Sequence, residues 1–371
     1  MPQEFHGNGS IHLIDRLYIS IIAENLSHSF RNAVNIHMPK DRNTFVCASV
    51  DVSHHDFAPS SLAHMYSFHK SISMLLESIG DRDLVIAVAA EPSLITIVAL
   101  LLGSHLIIGK GMTPQMVAKN FRLLESMFVK LTDGNNTDLS VLDCWKAIHR
   151  ATTLGWVNFD SHQKHDVSEI IDMDEYLHYD DTHNGAMHLV DPSRLLLFRE
   201  PADLPAGVAW EDEGGRRRFG AEHYAWLFED FGVSLVVRCG GGAWDCEALR
   251  GAGIAVEDLR VAGDGAGMLS AVDRFLTLAR LAPGCIAVQC GGGERATSVE
   301  AGRGAGNEAD RSTALCDGDA GARLLVAAHL IRSRGFCAAE ALAWACMVHP
   351  VAAGAGPAVV LVSGAAGGSC G

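Results

Sequence analysis

Runs of apolar residues, separated by glycine, proline and charged residues, divide the chain into strands and helices. Residues 84–90 are continuously apolar, which is typical of a strand buried on both faces, and the apolar run at 94–106 predicts a buried helix. Thr113 and Pro114 mark the start of another helix, because threonine is a good N-cap and proline is tolerated at the first helical position. Helical spacing of apolar residues predicts a further helix over 139–153.

The same order of elements recurs in the second half of the chain. Apolar runs at 233–237 and 286–288 predict strands, and helices are expected over 322–333 and 338–348. Strand–loop–helix alternation in both halves predicts an α/β fold with two units built on largely parallel sheets. Between the halves, the acid-rich stretch at 165–185 indicates an inter-domain linker that is partly helical.

These patterns predict three parts. We expect a first domain over residues 1–160, an acidic linker over 161–198 and a second domain over 199–371. Within the second domain, residues 291–320 lack apolar periodicity and are rich in glycine and acid, which indicates an insert. A fault in the gene model, with residues 296–319 translated from an intron, is an alternative explanation of that stretch.

The composition limits the classes of protein to which this chain can belong. The chain has 371 residues, of which 48% are hydrophobic and 20% charged, so it can bury a large core and is not disordered as a whole. The formal net charge of −15 argues against non-specific binding to nucleic acid, which requires basic surfaces. The first residues lack the basic and apolar regions of a signal peptide, and the longest apolar run is short for a membrane span, so an intracellular protein without a membrane anchor is expected.

The cysteines favour neither a disulfide framework nor a metal site. There are ten of them, without a C-x-x-C pair, so reduced thiols are the expectation, and neither a metal nor a cofactor is predicted. Residues 239–242 and 290–293 both read Cys-Gly-Gly-Gly, but neither has the spacing of a dinucleotide-binding fingerprint.

Several segments match a known family in the same order along the chain. In the first half they are residues 56–66, 110–114, 142–144 and 155–159. The linker holds the closest match, at 172–179 followed by Asn184-Gly185, and the second half adds 221–224, 236–238, 258–259, 274–276, 286–288 and 339–344. On these segments the chain resembles the cell division cycle 14 family of dual specificity protein phosphatases.

The resemblance implies a fold and different roles for the two domains. It implies an α/β fold with two tandem dual-specificity-phosphatase-like domains, each a central mostly parallel sheet flanked by helices. The first domain of the family is non-catalytic and the second holds the site, whose signature is His-Cys, five residues, then Arg. In that chemistry a thiolate at a strand end attacks phosphorus, while backbone N–H groups and the arginine hold the phosphate.

By resemblance, Cys290 falls at the position of the catalytic nucleophile. Arg295 and the three glycines Gly291, Gly292 and Gly293 then take the phosphate-binding positions. The chain departs from the family here, because Gln289 replaces the histidine and Arg295 comes one residue early. If the alignment with the family starts instead from the following helix, Asp319 takes the position of the family's arginine. These changes place acids near the anion site, so we expect weak activity.

Two further groups of site residues are implied by the resemblance. Asp264 is one residue late for the general acid, and an Asp-Gly turn is the other explanation of that residue. In the family, acids of the linker line a groove for basic residues that follow a phosphoserine-proline site. The candidates are Glu169, Asp172, Asp174 and Glu175, although a solvated helix face would show the same acids.

The resemblance thus favours a cysteine-dependent protein phosphatase of the dual specificity, cell-cycle type. Its partner would be a phosphoprotein with basic residues near a phosphoserine-proline site, in the nucleus or the cytoplasm. The alternative is a catalytically inactive pseudophosphatase that acts as a binding or scaffold module. The two differ in whether an arginine reaches the phosphate loop.

Overall fold

A computed structural model describes most of the chain. The described residues are 10–22, 45–51, 59–132, 138–159, 170–181, 183–213, 216–239, 244–261, 265–291, 318–349 and 360–364. The chain divides into two compact units, Met1–Gln163 with Pro350–Gly371 and Lys164–His349.

The elements follow one another in the order expected of an α/β protein. The first are β1 (Ser10–Ile14), β2 (Leu17–Ile22), β3 (Phe45–Asp51), α1 (Leu62–Ser78), β4 (Asp83–Ala89), α2 (Pro92–Lys110), α3 (Pro114–Asn120), β5 (Leu131–Thr132), β6 (Asp138–Leu139) and α4 (Val141–Thr153). Next come α5 (Met173–Asp180), β7 (Met187–Asp191), β8 (Leu195–Arg199), β9 (Trp210–Glu213), β10 (Arg216–Phe219), α6 (Ala221–Asp230), β11 (Val233–Arg238), α7 (Glu247–Gly251) and β12 (Ala255–Asp258). The last are α8 (Gly265–Leu281), β13 (Cys285–Cys290), α9 (Gly318–His329), α10 (Ala338–Val348) and β14 (Val360–Gly364).

The first unit is built on a five-stranded sheet in the order β1-β2-β4-β3-β14. The three central strands pair in parallel, and both edge strands are antiparallel. Thr113 caps α3 as predicted, since its side chain accepts a hydrogen bond from the Met116 backbone N–H. Ser140 and Asp143 form a capping box at the start of α4.

Helix α2 is the buried helix that the sequence predicts. It is the one helix of the described residues that is long and apolar enough to cross a membrane, but most of it lies inside the first unit. Gly103 lets it approach α4 closely, because a Cβ there would overlap the Trp145 indole. The same indole donates a hydrogen bond to the Leu100 carbonyl. Gly111 ends the helix with a φ of 63°.

The second unit is built on a five-stranded sheet in the order β12-β11-β13-β8-β7. All pairs are parallel except β8 with β7. Helices α6 and α7 share one core with Phe198 and Ala287, which project from one face of the sheet. Helix α9 packs against β13 between α8 and α10. Alternation along β13 directs Val288 and Cys290 to the opposite face from Ala287.

The predicted linker contributes structure to the second unit. Residues 161–198 contain α5, all of β7 and most of β8, and these strands form one edge of the second sheet. The acidic run hides this role in the sequence, although Leu195–Phe198 is a fully apolar run of the kind that buried strands show. The short β9–β10 hairpin was not predicted, while α10 has the predicted bounds.

Candidate functional site

Cys290 is the last residue of β13, whose six residues are all buried. The strand lies in the middle of the parallel part of the sheet, between β11 and β8. Cys290 is 2% exposed, and its carbonyl accepts a hydrogen bond of 3.1 Å from the Glu200 N–H. The structure therefore places this thiol at the carboxyl end of a central parallel strand, where ligand sites of open α/β sheets lie.

Several of the candidate residues lie outside the described part of the chain. These are Gly292, Gly293, Arg295, Asp264 and Glu169. Gly291 is described, as the partly buried residue after Cys290. The roles of all of these residues stay predictions.

The resemblance assigns Gln289 to the position of the histidine in the family signature. It is buried, and its Oε1 accepts a hydrogen bond of 3.1 Å from the Trp244 indole. Its Nε2 has no hydrogen-bond partner among the described residues. A neutral amide cannot lower the pKa of a neighbouring thiol as an imidazolium does.

Two of the matching segments meet at an ion pair. Arg238 at the end of β11 binds both carboxylate oxygens of Asp258 at the end of β12, at 2.5 and 2.7 Å. The hydrogen bonds from Arg238 hold the pKa of Asp258 below its ordinary value. The Arg238 carbonyl also accepts a bond from the Leu259 N–H, so the pair fixes the start of the segment that leads to Asp264.

The acidic candidates of α5 differ in their surroundings. Asp172 is the N-cap of the helix, accepting hydrogen bonds from the N–H groups of Asp174 and Glu175. Asp174 is exposed. Burial, and then the charge of Asp172, raise the pKa of Glu175. Asp172 and Glu175 line one shallow pocket, together with Tyr176, Tyr179 and Phe231 among others.

The other thiols near the strand ends are poor nucleophiles. Burial raises the pKa of Cys239, just after β11, to about 12, and has the same effect on Cys285 at the start of β13. Among the described residues no group of three or more His, Cys, Asp or Glu side chains is arranged to hold a metal ion.

Two arginines lie on the elements that adjoin β13. Arg199 ends β8 and is the register partner of Cys290. Arg323 lies on α9 and is only 2% exposed, which is unusual for a charged side chain. Neither is spaced from Cys290 as in a known motif, so the sequence carries no direct signal for them.

Comparison with known proteins relates the chain to one family. The family model described as "Dual specificity protein phosphatase, N-terminal half" matches residues 12–151. Human dual specificity protein phosphatase CDC14C is 24% identical over 301 residues, covering 80% of this chain and 59% of the human protein. CDC14B of Mus musculus is 24% identical over the same length, covering 80% of this chain and 54% of its own. CDC14AB of Danio rerio is 25% identical over 346 residues, which are 91% of this chain and 49% of the fish protein.

The chain thus spans 49–59% of the length of these relatives. Among solved structures, the crystal structure of Tk-PTP in the active form matches with 16% identity and a TM-score of 0.27, covering 44% of this chain and 85% of that one. The sequence matches confirm the resemblance seen in the motifs: the chain is similar, at about a quarter identity over most of its length, to cell division cycle 14 dual specificity protein phosphatases.

Proposed function

We propose that the chain is a cysteine-dependent protein phosphatase of the dual specificity class, with Cys290 as its nucleophile. The observation that supports this most is the place of Cys290, at the carboxyl end of a buried central strand. The Cys290 Sγ attacks phosphorus, the P–O bond to the substrate breaks, and Asp264 gives its proton to the leaving oxygen. Water then attacks the phosphorus of the phosphocysteine, Asp264 takes up the proton of that water, and the S–P bond breaks to release inorganic phosphate and the Cys290 thiolate.

The substrate proposal rests on the acids of the linker. Relatives that match over most of this chain bear the name of protein phosphatases, which supports a phosphoprotein substrate. Asp174 is free to meet solvent and Glu175 lines the pocket of α5, so both can face a basic segment of such a partner. We propose a phosphoserine-proline site followed by basic residues, with Glu169 and Asp172 completing the groove, in an intracellular setting.

Activity should be weak. Gln289, which the resemblance places at the position of the signature histidine, is neutral and bound to Trp244, so it supplies no imidazolium to stabilise a Cys290 thiolate. The same observation favours a second candidate function, an inactive phosphatase fold that binds phosphoproteins without hydrolysing them. In that case the site at Cys290 would hold a phosphate group, but the Cys290 thiol would not attack it.

Hydrolysis of a small aryl phosphate by purified protein tests the proposal. We expect slow turnover that Cys290→Ser abolishes and that Cys239→Ser preserves, since Cys239 is an equally buried thiol at the end of the neighbouring strand. Circular dichroism of both variants checks that they fold. Turnover that survives Cys290→Ser would exclude this mechanism. Absence of turnover in the unchanged protein, with binding of a phosphoserine-proline peptide, would establish the second function.

A further inference from the structure

The Trp244 indole is a buried hydrogen-bond donor that faces the strand of the candidate nucleophile. Trp244 is 4% exposed, and Gln289, the residue before Cys290, is 1% exposed. The indole N–H donates to Gln289 Oε1 at 3.1 Å. An indole has one donor and no acceptor, and a buried donor without an acceptor destabilises the fold. Trp244 therefore requires an acceptor from the side chain at position 289.

Contacts with β11 hold Trp244 in this place. The Arg238 guanidinium lies 5.2 Å from the centroid of the Trp244 ring, and its Nη1 donates to the Trp244 carbonyl at 3.4 Å. Both carboxylate oxygens of Asp258 hold Arg238 in turn. The indole also belongs to a core cluster with Leu249 and Ala287. Turning it towards another acceptor would disrupt both sets of contacts.

A cation is already present beside position 289. Arg238 is the register partner of Gln289 on β11, and the register partner on β8 is Phe198, which is apolar. The acidic side chains whose charges act on Arg238 are Asp258, Cys246 and Glu200. A protonated side chain at position 289 would add a second positive charge beside Arg238 and would present a donor to the indole donor.

We propose that Trp244 is a positioning residue that keeps position 289 a neutral hydrogen-bond acceptor, so that a histidine placed there would not by itself give Cys290 a cationic neighbour. A neutral imidazole can accept the indole proton on one nitrogen, but an imidazolium has donors on both nitrogens. The departure from the family signature at Gln289 therefore extends to Trp244. The inference rests on the proposed function, because it names the residue that controls the charge beside the proposed nucleophile.

Titration of a histidine introduced at position 289 of the full chain tests the inference. We expect the imidazole of Gln289→His to have a pKa about one unit or more below the ordinary value of about 6.5, because protonation would break the bond from the indole. In the double variant Gln289→His with Trp244→Tyr, the imidazole pKa should be about one unit or more higher than in the single variant, since a phenol oxygen can accept the second N–H. NMR follows the imidazole signal, which the unchanged protein lacks.

Trp244→Phe is the matched control for Trp244→Tyr, because phenylalanine has nearly the same shape and no hydroxyl. Combined with Gln289→His, it should give a lower imidazole pKa than Trp244→Tyr does. Equal imidazole pKa values in these two backgrounds would overturn the inference, as would an imidazole in Gln289→His that titrates at or above its ordinary pKa.

Circular dichroism shows whether the variants fold. If the Trp244 variants do not, hydrogen exchange of the Trp244 indole N–H decides the question. Gln289→His should keep the protection of this proton, and Gln289→Leu, which offers no acceptor, should lose it. Equal protection in the two variants would overturn the inference.

The Cys290 thiol gives a second readout, which a merely structural role of Trp244 would not change in the expected order. The thiolate absorbance of each variant, less that of the same variant with Cys290→Ser, reports the thiol pKa. We expect no change of this pKa in Gln289→His and a fall of about one unit in Gln289→His with Trp244→Tyr. A fall in Gln289→His alone would overturn the inference even if the protein hydrolyses aryl phosphates. The expected order of pKa values without any turnover would support the role of Trp244 while the phosphatase proposal fails.

Discussion

At the scale of single residues, burial sets the protonation of two histidines in the second unit, His223 and His349. His223 stacks on Phe219 with ring centroids 4.0 Å apart, and burial is the main reason that its pKa falls to about 4. His349 is shifted in the same direction by burial, His188 and two arginines. Both imidazoles are therefore neutral in the folded protein at neutral pH.

This arrangement makes stability depend on pH. In the unfolded chain these histidines titrate near 6.5, so below that pH the unfolded state binds more protons than the folded state. The contribution of His223 is complete above pH 6.5 and is lost as the pH falls towards 4. The contribution of His349 also begins to be lost as the pH falls below 6.5. Each such histidine adds a slope of up to about 1.4 kcal/mol per pH unit to the free energy of unfolding.

Urea unfolding at pH 7.5 and pH 5 measures the effect. We expect the free energy of unfolding to fall between these pH values, and to fall less in His223→Gln, whose amide does not titrate. His12→Gln is the matched control, because it makes the same substitution at an exposed position. An undiminished pH dependence in His223→Gln would show that this imidazole is not the group that titrates.

At the scale of elements, the packing of α2 on α4 depends on a missing side chain. The Trp145 indole is fully buried and lies where a Cβ of residue 103 would stand. Since the ring is enclosed, it cannot move aside at low cost.

We expect Gly103→Ala to lower the free energy of unfolding by about 1–3 kcal/mol, because overpacking outweighs the gain in helix propensity. Gly251→Ala is the matched control, since Gly251 is also helical but a Cβ there meets nothing within 4 Å. That change should be neutral or stabilise by up to about 1 kcal/mol. Denaturant unfolding of both variants tests the contrast, which equal stabilities would contradict.

A comparison of single helices and strands shows how much of the fold the sequence predicts. Helices α2 and α10 are predictable, because each is a long apolar run with clear boundaries. The central strand β13 is predictable from the short apolar run at 286–288. The sequence pattern places β7 and β8 in a linker, because the acidic residues before them dominate that stretch. Arg199 could not be identified as a neighbour of Cys290, because the pairing of β8 with β13 is a property of the fold that spacing along the chain does not reveal.

At the scale of the whole molecule, the boundary between the two units decides which residues the second unit needs. The structure begins that unit at Lys164 and ends it at His349. Asp191, at the end of β7, is completely buried and accepts hydrogen bonds from Arg334 at 2.6 and 3.0 Å and from His329 at 3.1 Å. Burial raises the pKa of Asp191, but these bonds more than offset it and keep the carboxylate charged.

Two fragments distinguish this boundary from the one that the sequence predicts. Residues 164–349 contain the whole second sheet, so we expect this fragment to unfold cooperatively on heating and to give a dispersed amide NMR spectrum.

Residues 199–371 lack β7 and almost all of β8, which removes the strand that pairs with β13 and leaves Arg334 and His329 without Asp191. Loss of a carboxylate from such a buried cluster alone costs about 3–5 kcal/mol, a large part of the stability of a domain. The second fragment should therefore be unfolded or aggregated, and a cooperative transition in it equal to that of 164–349 would show that 161–198 is a linker after all.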